Sequence, residues 1–235
     1  MLVLFDIDGT LLLTQHVGAK CMHDASRELY GEAFSFDGVE IAGRIDPQIW
    51  HDVALANGIE DPDAHHDRFR ATYAEHLARR LKRNNTVTLL PGVAELVEAL
   101  GSIDGLTRGL LTGNYPETGR LKIEAAGLDP SVFEVAVWGC DGQTRRDLPG
   151  VALDRHEAAT GTRLSPGQVV IIGDTPHDVD CARAHGCVVL AVATGPTPRD
   201  LLSASEPDLL ADDLSQTQEI VSWITGHRHQ NQSHR

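Results

Sequence analysis

The chain has 235 residues, 41% of them hydrophobic, and a formal net charge of −14. That is long and apolar enough for one large domain, or for a core carrying an insertion. The acidic excess argues against a nucleic-acid surface or an anionic membrane as the main partner. It leaves room for an anionic substrate held by a metal ion and a few arginines. No apolar stretch approaches the ~20 residues that span a bilayer. Cys21, Cys140, Cys181 and Cys187 stand at no metal-ligand spacing and read as reduced, mostly buried thiols of a cytoplasmic protein.

The first element is the apolar run "LVLFDIDGTLL" (2–12), a buried strand that begins at once and leaves no room for a signal peptide. It ends in two aspartates two residues apart, followed by Gly-Thr. Carboxylates crowded at a strand end repel one another and resist desolvation, so either they lie in solvent as an ordinary polar turn or a cation sits between them. Residues 14–86 then hold helical patterns at 15–30, 44–57 and 62–83 and no convincing strand pair. Three consecutive helices are too many for one ordinary crossover, which predicts a helical cap joined by two linkers.

From residue 87 onward, short apolar runs alternate with helical patterns. Helices are predicted at 91–102, 116–128, 149–160 and 177–186, and strands at 107–114, 132–139, 168–175 and 187–194. One or two short helices follow, and the polar stretch 226–235 reads as a frayed tail. The expected fold is α/β: a doubly wound parallel-sheet core from 1–13 and 87–225, with the cap inserted at 14–86.

Ligands gather at the carboxyl ends of parallel strands. Three such ends carry unusual polar groups: Asp6-Ile7-Asp8-Gly9-Thr10, Thr112-Gly113-Asn114, and Gly173 through Asp178. Each alone is ordinary turn or capping chemistry. Together they fit phosphoryl transfer through an aspartate. Asp6 would attack phosphorus, and Asp8 would protonate the leaving oxygen and later take a proton from water. Gly9 and Thr10 would turn the chain against the phosphate, with Thr112, Gly113 and Asn114 offering a hydroxyl and amides to its oxygens. Mg²⁺ suits an all-oxygen site, with Asp174 completing its ligands and Asp178 orienting a metal-bound water or a basic side chain.

"DIDGT", "LLTGN" and "GDTPHDVDCA", in this order and spacing, strongly resemble the haloacid dehalogenase superfamily of phosphohydrolases, in particular its phosphoglycolate phosphatase-like branch. The resemblance covers nearly the whole chain, helical cap included. It implies that Asp6 is the nucleophile and Asp8 the general acid/base. It also implies that Mg²⁺ is held by the Asp6 carboxylate, the Asp8 carbonyl and the Asp174 carboxylate. True dehalogenases lack an aspartate at the position of Asp8, so dehalogenation is not expected.

The family's basic residue before the fourth strand has no lysine match: Lys20, Lys82 and Lys122 all lie elsewhere. "CDGQTRRDLP" (140–149) puts Arg145 and Arg146 there. Arg145 is the first candidate, by resemblance to relatives with arginine at this turn. Lys122, on the helix after "TGN", is the second. In the cap, "AGRIDPQIW" (42–50) resembles a substrate-covering loop, with Arg44 as the candidate contact to the leaving group and Asp46 as a helix cap. The expected function is an Mg²⁺-dependent phosphatase acting on a small phosphorylated metabolite through an aspartyl phosphate. A phosphomutase like β-phosphoglucomutase is the first rival, and a binding protein that keeps the fold without turnover is the second. The sequence leaves the substrate and the oligomeric state open.

Overall fold

A six-stranded parallel sheet organises the computed structural model, which describes residues 1–230. β1 (Leu2–Phe5) lies inside it, paired on one side with β4 (Thr107–Leu111) and on the other with β6 (Val169–Gly173). Beyond β4 comes β5 (Val135–Val137); beyond β6 come β7 (Val188–Val192) and β8 (Leu209–Ala211). The strand order is therefore β5-β4-β1-β6-β7-β8, reversing direction around β1. All four β1 residues are fully buried, which is why the strand reads as an unbroken apolar run rather than an alternating one.

The two faces of the sheet are covered separately. Val3 and Phe5 share one core with α4 (Val93–Gly101), α5 (Pro116–Ala125) and α9 (Thr217–Gln230). Leu2 and Leu4 share the other with α6 (Leu148–Thr160), α7 (Pro176–His185) and α8 (Arg199–Ala204). Alternation of side chains along one strand thus builds a three-layer α/β/α stack.

α1 (Val17–Tyr30), α2 (Asp46–Ala56) and α3 (Pro62–Arg83) fall between β2 (Leu12–Leu13) and β3 (Thr88–Leu89). They pack through an aromatic stack in which Trp50 lies 4.2 Å from Phe69, with Tyr73 beyond. Asp61 caps α3 by accepting the Ala64 N–H, and Pro62 occupies the first helical position. β2 and β3 pair antiparallel where the chain leaves and re-enters the core. Two residues give no readable periodicity, so the sequence does not show this ribbon.

Two further expectations are corrected. β8 adds a sixth strand where only short helices are expected; its three half-buried residues carry no alternation to mark it. α9 continues to Gln230, past the expected start of the frayed tail at 226; the rest of that stretch, 231–235, lies outside the described residues. All four cysteines are free thiols, and only Cys140 is exposed. Among the described residues, no helix is long and apolar enough to cross a membrane.

Candidate active site

The site forms at the carboxyl ends of β1, β4 and β6. The Asp6 N–H donates to the Ile172 carbonyl at 2.9 Å, continuing the β1–β6 ladder one residue past the strand and fixing the Asp6 side chain, which is 5% exposed. The chain then turns at Gly9, whose φ of 82° lies in the left-handed region. A side chain there would also run into the Asp174 carboxylate, so glycine serves both the turn and the close approach of the β6 loop. The Gly9 carbonyl accepts from the Thr194 hydroxyl at 2.5 Å, tying the turn to the loop after β7.

The two aspartates of the first motif have different cations. Asp8 Oδ2 accepts from Lys122 Nζ at 2.7 Å and from Asn114 Nδ2 at 2.8 Å, and Oδ1 accepts from the Thr14 hydroxyl at 3.3 Å. Lys122 also donates to Asn114 Oδ1 at 2.5 Å, and Asn114 Nδ2 to Thr112 Oγ1 at 2.8 Å. Burial works against the Asp8 carboxylate. Lys122, by charge and hydrogen bond, together with Asn114 and Thr14, outweighs it and holds Asp8 below its ordinary value.

Asp6 instead faces Arg145, whose Nη2 lies 3.1 Å from Asp6 Oδ2 and 2.5 Å from Asp178 Oδ1. The guanidinium also donates from Nη1 to the Gly43 carbonyl at 3.3 Å. The second Asp178 oxygen accepts from the Thr175 N–H at 3.0 Å and its hydroxyl at 2.7 Å. Asp178 is therefore fully committed to holding Arg145 and the start of α7. Burial pushes Asp6 up to about 6 even though Arg145 pulls it down. Asp174 is raised well above its ordinary range, first by burial and then by the charges of Asp178 and Asp6.

Asp6, Asp174 and Asp178 form an oxygen-only group whose nearest ligand atoms all lie within 4.8 Å of one another. Thr10 donates to Asp174 Oδ1 at 3.2 Å, while the buried Oδ2 has no hydrogen-bond partner. An unsatisfied buried carboxylate oxygen among like charges is what a hard divalent cation relieves, so these residues fit Mg²⁺. Asp8, with its side chain turned to Lys122 and Asn114, is not in that group.

A cavity of about 600 Å³ opens over these groups. It brings together Asp6, Asp8, Gly9, Thr112, Gly113, Asn114, Lys122, Arg145 and Asp174 as the sequence expects. Both candidate cations reach the site, Arg145 at Asp6 and Lys122 at Asp8, rather than one of them alone. Four expectations change. Arg146 is 63% exposed and pairs with Asp180, because the turn at 145–147 sends consecutive side chains apart. Thr10 is turned to Asp174 and does not line the cavity. Arg44 lines it, but its guanidinium is held by Asp52 at 2.6 Å and the Glu40 carbonyl at 3.2 Å. Asp46 is the first residue of α2 and makes no capping bond; its carboxylate accepts the Tyr115 N–H at 3.0 Å.

Sequence reasoning misses Thr14 and Thr194, since isolated threonines in loops carry no motif; Thr175 stands within the third motif but is given no role there. It also misses how closely the 43–46 segment sits on the core. The Asp46 N–H donates to the Gly113 carbonyl at 2.7 Å, and a Cβ at Gly113 would overlap the Arg44 carbonyl.

The family model for haloacid dehalogenase-like hydrolases matches residues 1–186. Phosphoglycolate phosphatase of Salmonella typhi is 28% identical over 127 residues, 54% of this chain and 48% of that protein, so the chain spans about half the length of that relative. Pyrophosphatase PpaX of Listeria monocytogenes is 25% identical over 222 residues, covering 93% of this chain and 95% of that one. The crystal structure of CbbY from Rhodobacter sphaeroides in complex with phosphate superimposes with a TM-score of 0.70 at 17% identity, over 91% of this chain and 94% of that one, a likeness of fold.

Proposed function

The chain belongs to the haloacid dehalogenase-like hydrolase family, and on that premise we propose that it is a cytoplasmic, Mg²⁺-dependent phosphatase acting on a small phosphorylated metabolite. One observation carries the reading. Two carboxylates two residues apart are each engaged by a separate buried cation, beside a third carboxylate oxygen with no partner. The names of the similar phosphoglycolate phosphatases and pyrophosphatase support phosphate-ester or anhydride hydrolysis as the reaction class.

In this reading an Asp6 oxygen attacks phosphorus, the bond to the leaving oxygen breaks, and an aspartyl phosphate forms. Arg145 orients the Asp6 carboxylate and reduces its repulsion toward the incoming dianion. Asn114, whose amide donates to Thr112, holds Lys122, and the two keep the turn that meets the phosphoryl oxygens. Asp8 is the proton carrier. With Lys122 at 2.7 Å it is held ionised; a phosphate oxygen competing for that ammonium loosens the hold and raises the affinity of Asp8 for a proton. Asp8 then takes up a proton from solvent on substrate binding and gives it to the leaving oxygen, and it recovers one from the water that hydrolyses the aspartyl phosphate. The Asp6 and Asp174 carboxylates, with the Asp8 carbonyl, would hold Mg²⁺, which screens the carboxylates from the substrate's charge.

Helices α1–α3 serve as the cap over this cavity, with residues 14–86 as the inserted domain. Their place between β2 and β3 and the lining they contribute support that role. Orthophosphate release from an aryl phosphate tests the reading. Mg²⁺-dependent turnover that chelation abolishes, and that Asp6→Asn lowers by about three orders of magnitude or more, is expected. Wild type and variant equally inactive with Mg²⁺ across many phosphate esters would refute it.

A further inference from the structure

The lining of the cavity is divided chemically. One part is the charged set around Asp6 and Asp8. The rest comes largely from α1, the 41–49 segment and α3, and includes Ala19, Met22, Ile41, Ile49 and Tyr73, with Leu13 39% exposed beside them. Of these, Met22, Ile49 and Tyr73 are almost wholly buried and set the shape of the wall.

The lysines and arginines decide what can bind there. Three line the cavity, and each is already held by a carboxylate: Lys122 by Asp8 at 2.7 Å, Arg145 by Asp6 and Asp178, and Arg44 by Asp52 at 2.6 Å. Lys122 and Arg145 are required where they stand. Of the three, Arg44 is the one that a second anionic group on a substrate would have to recruit, and it would have to leave Asp52 and the Glu40 carbonyl to do so; His16, exposed just before α1, is the other basic side chain in the lining. Asp46 adds a further carboxylate to the lining. Enclosing a second anion beside Asp46 and the apolar wall, with no cation released to meet it, costs more than enclosing a hydroxyl or a methylene.

We propose that the substrate is a phosphate monoester of a small, uncharged alcohol with apolar surface, and that a second carboxylate or phosphate on the leaving group is selected against. This rests on the phosphatase reading above and narrows it. It separates the chain from enzymes whose substrates carry two anionic ends, phosphomutases using bisphosphates among them. Selectivity lies in the commitment of Arg44 to Asp52, which makes Asp52 a positioning residue.

The test compares kcat/KM at saturating Mg²⁺ for four compounds of graded charge. 2-Hydroxyethyl phosphate and phosphoglycolate match in size and differ by one carboxylate; butyl phosphate and ethylene glycol bisphosphate extend the series. The two singly anionic esters are expected to exceed the other two by about tenfold or more. Asp52→Asn, at a half-exposed position, frees Arg44. It is expected to raise the ratio of kcat/KM for phosphoglycolate to that for 2-hydroxyethyl phosphate several-fold. Equal or better turnover of phosphoglycolate or the bisphosphate by the wild type overturns the proposal and leaves the phosphatase reading standing. So does an Asp52→Asn variant that moves both esters alike. Absence of phosphate release both from all four and from an aryl phosphate overturns the phosphatase reading and this inference with it.

Discussion

Asp46→Asn should stabilise the protein in a pH-dependent way. Asp46 is 6% exposed and joins α2 to the turn after β4, its side chain accepting the Tyr115 N–H and its own N–H donating to Gly113. Burial pushes its carboxyl from the ordinary 3.8 up to about 7, against the pull of Lys122. Because the folded-state value lies above the unfolded one, the folded chain binds more protons between pH 4 and 7. The contribution of this group to stability is therefore present at low pH and lost as pH rises through that window. Between pH 5 and 8 the loss is about 2–3 kcal/mol, at ~1.36 kcal/mol per pH unit while the folded-state group stays protonated. The positive end of α2 favours the ionised form and offsets part of this, leaving an expected effect of about 2 kcal/mol. Asparagine keeps an oxygen for the Tyr115 N–H and never ionises. Urea unfolding at pH 5 and pH 8, with identical salt, should show the variant gaining about 2 kcal/mol over wild type between the two conditions. A difference between the proteins that is the same at both pH values would refute the reasoning.

Arg145→Met removes the cation shared by Asp6 and Asp178, leaving two buried carboxylates unpaired. A loss of about 3–5 kcal/mol in chelator-treated protein is expected, partly restored by millimolar Mg²⁺, as read from thermal unfolding; a variant within about 1 kcal/mol of wild type would contradict the pairing. Gly113→Ala drives a methyl into the Arg44 carbonyl, a backbone atom that cannot swing aside. It should cost about 1–3 kcal/mol and lower kcat/KM for every ester alike, because the 43–46 segment is displaced. Unchanged unfolding and kinetics would show that this segment does not rest on the turn.

Much of the fold was legible because its signals are local. The parallel strands β1, β4, β5, β6 and β7 are apolar runs bounded by turn residues, and α1, α2 and α3 fall within the three helical stretches read from 14–86. β2, β3 and β8 were not legible. Such short strands exist by pairing with a distant partner, and unlike β5, which sits in the longer apolar run 132–139, they have no such run around them to mark them. The same limit applies in the site. Asp6, Asp8, Thr112, Asp174 and Thr175 stand in motifs at strand ends, whereas Thr194 enters only because a loop from a distant part of the chain meets the Gly9 turn.

The sequence by itself determined which strand ends carry carboxylates, that burying them together calls for a cation, and that a helical block interrupts the chain after the first strand. These follow from residue type and spacing, which act over a few residues. The tertiary structure decided the partners. It gave Arg145 to Asp6 and Lys122 to Asp8, where the sequence offered them as alternatives for one role. It turned Arg146 out to Asp180, committed Arg44 to Asp52, and set Asp46 against Tyr115. An ion pair depends on separation and desolvation to within an ångström, and residues more than a hundred positions apart acquire those only when the sheet and its helices are packed.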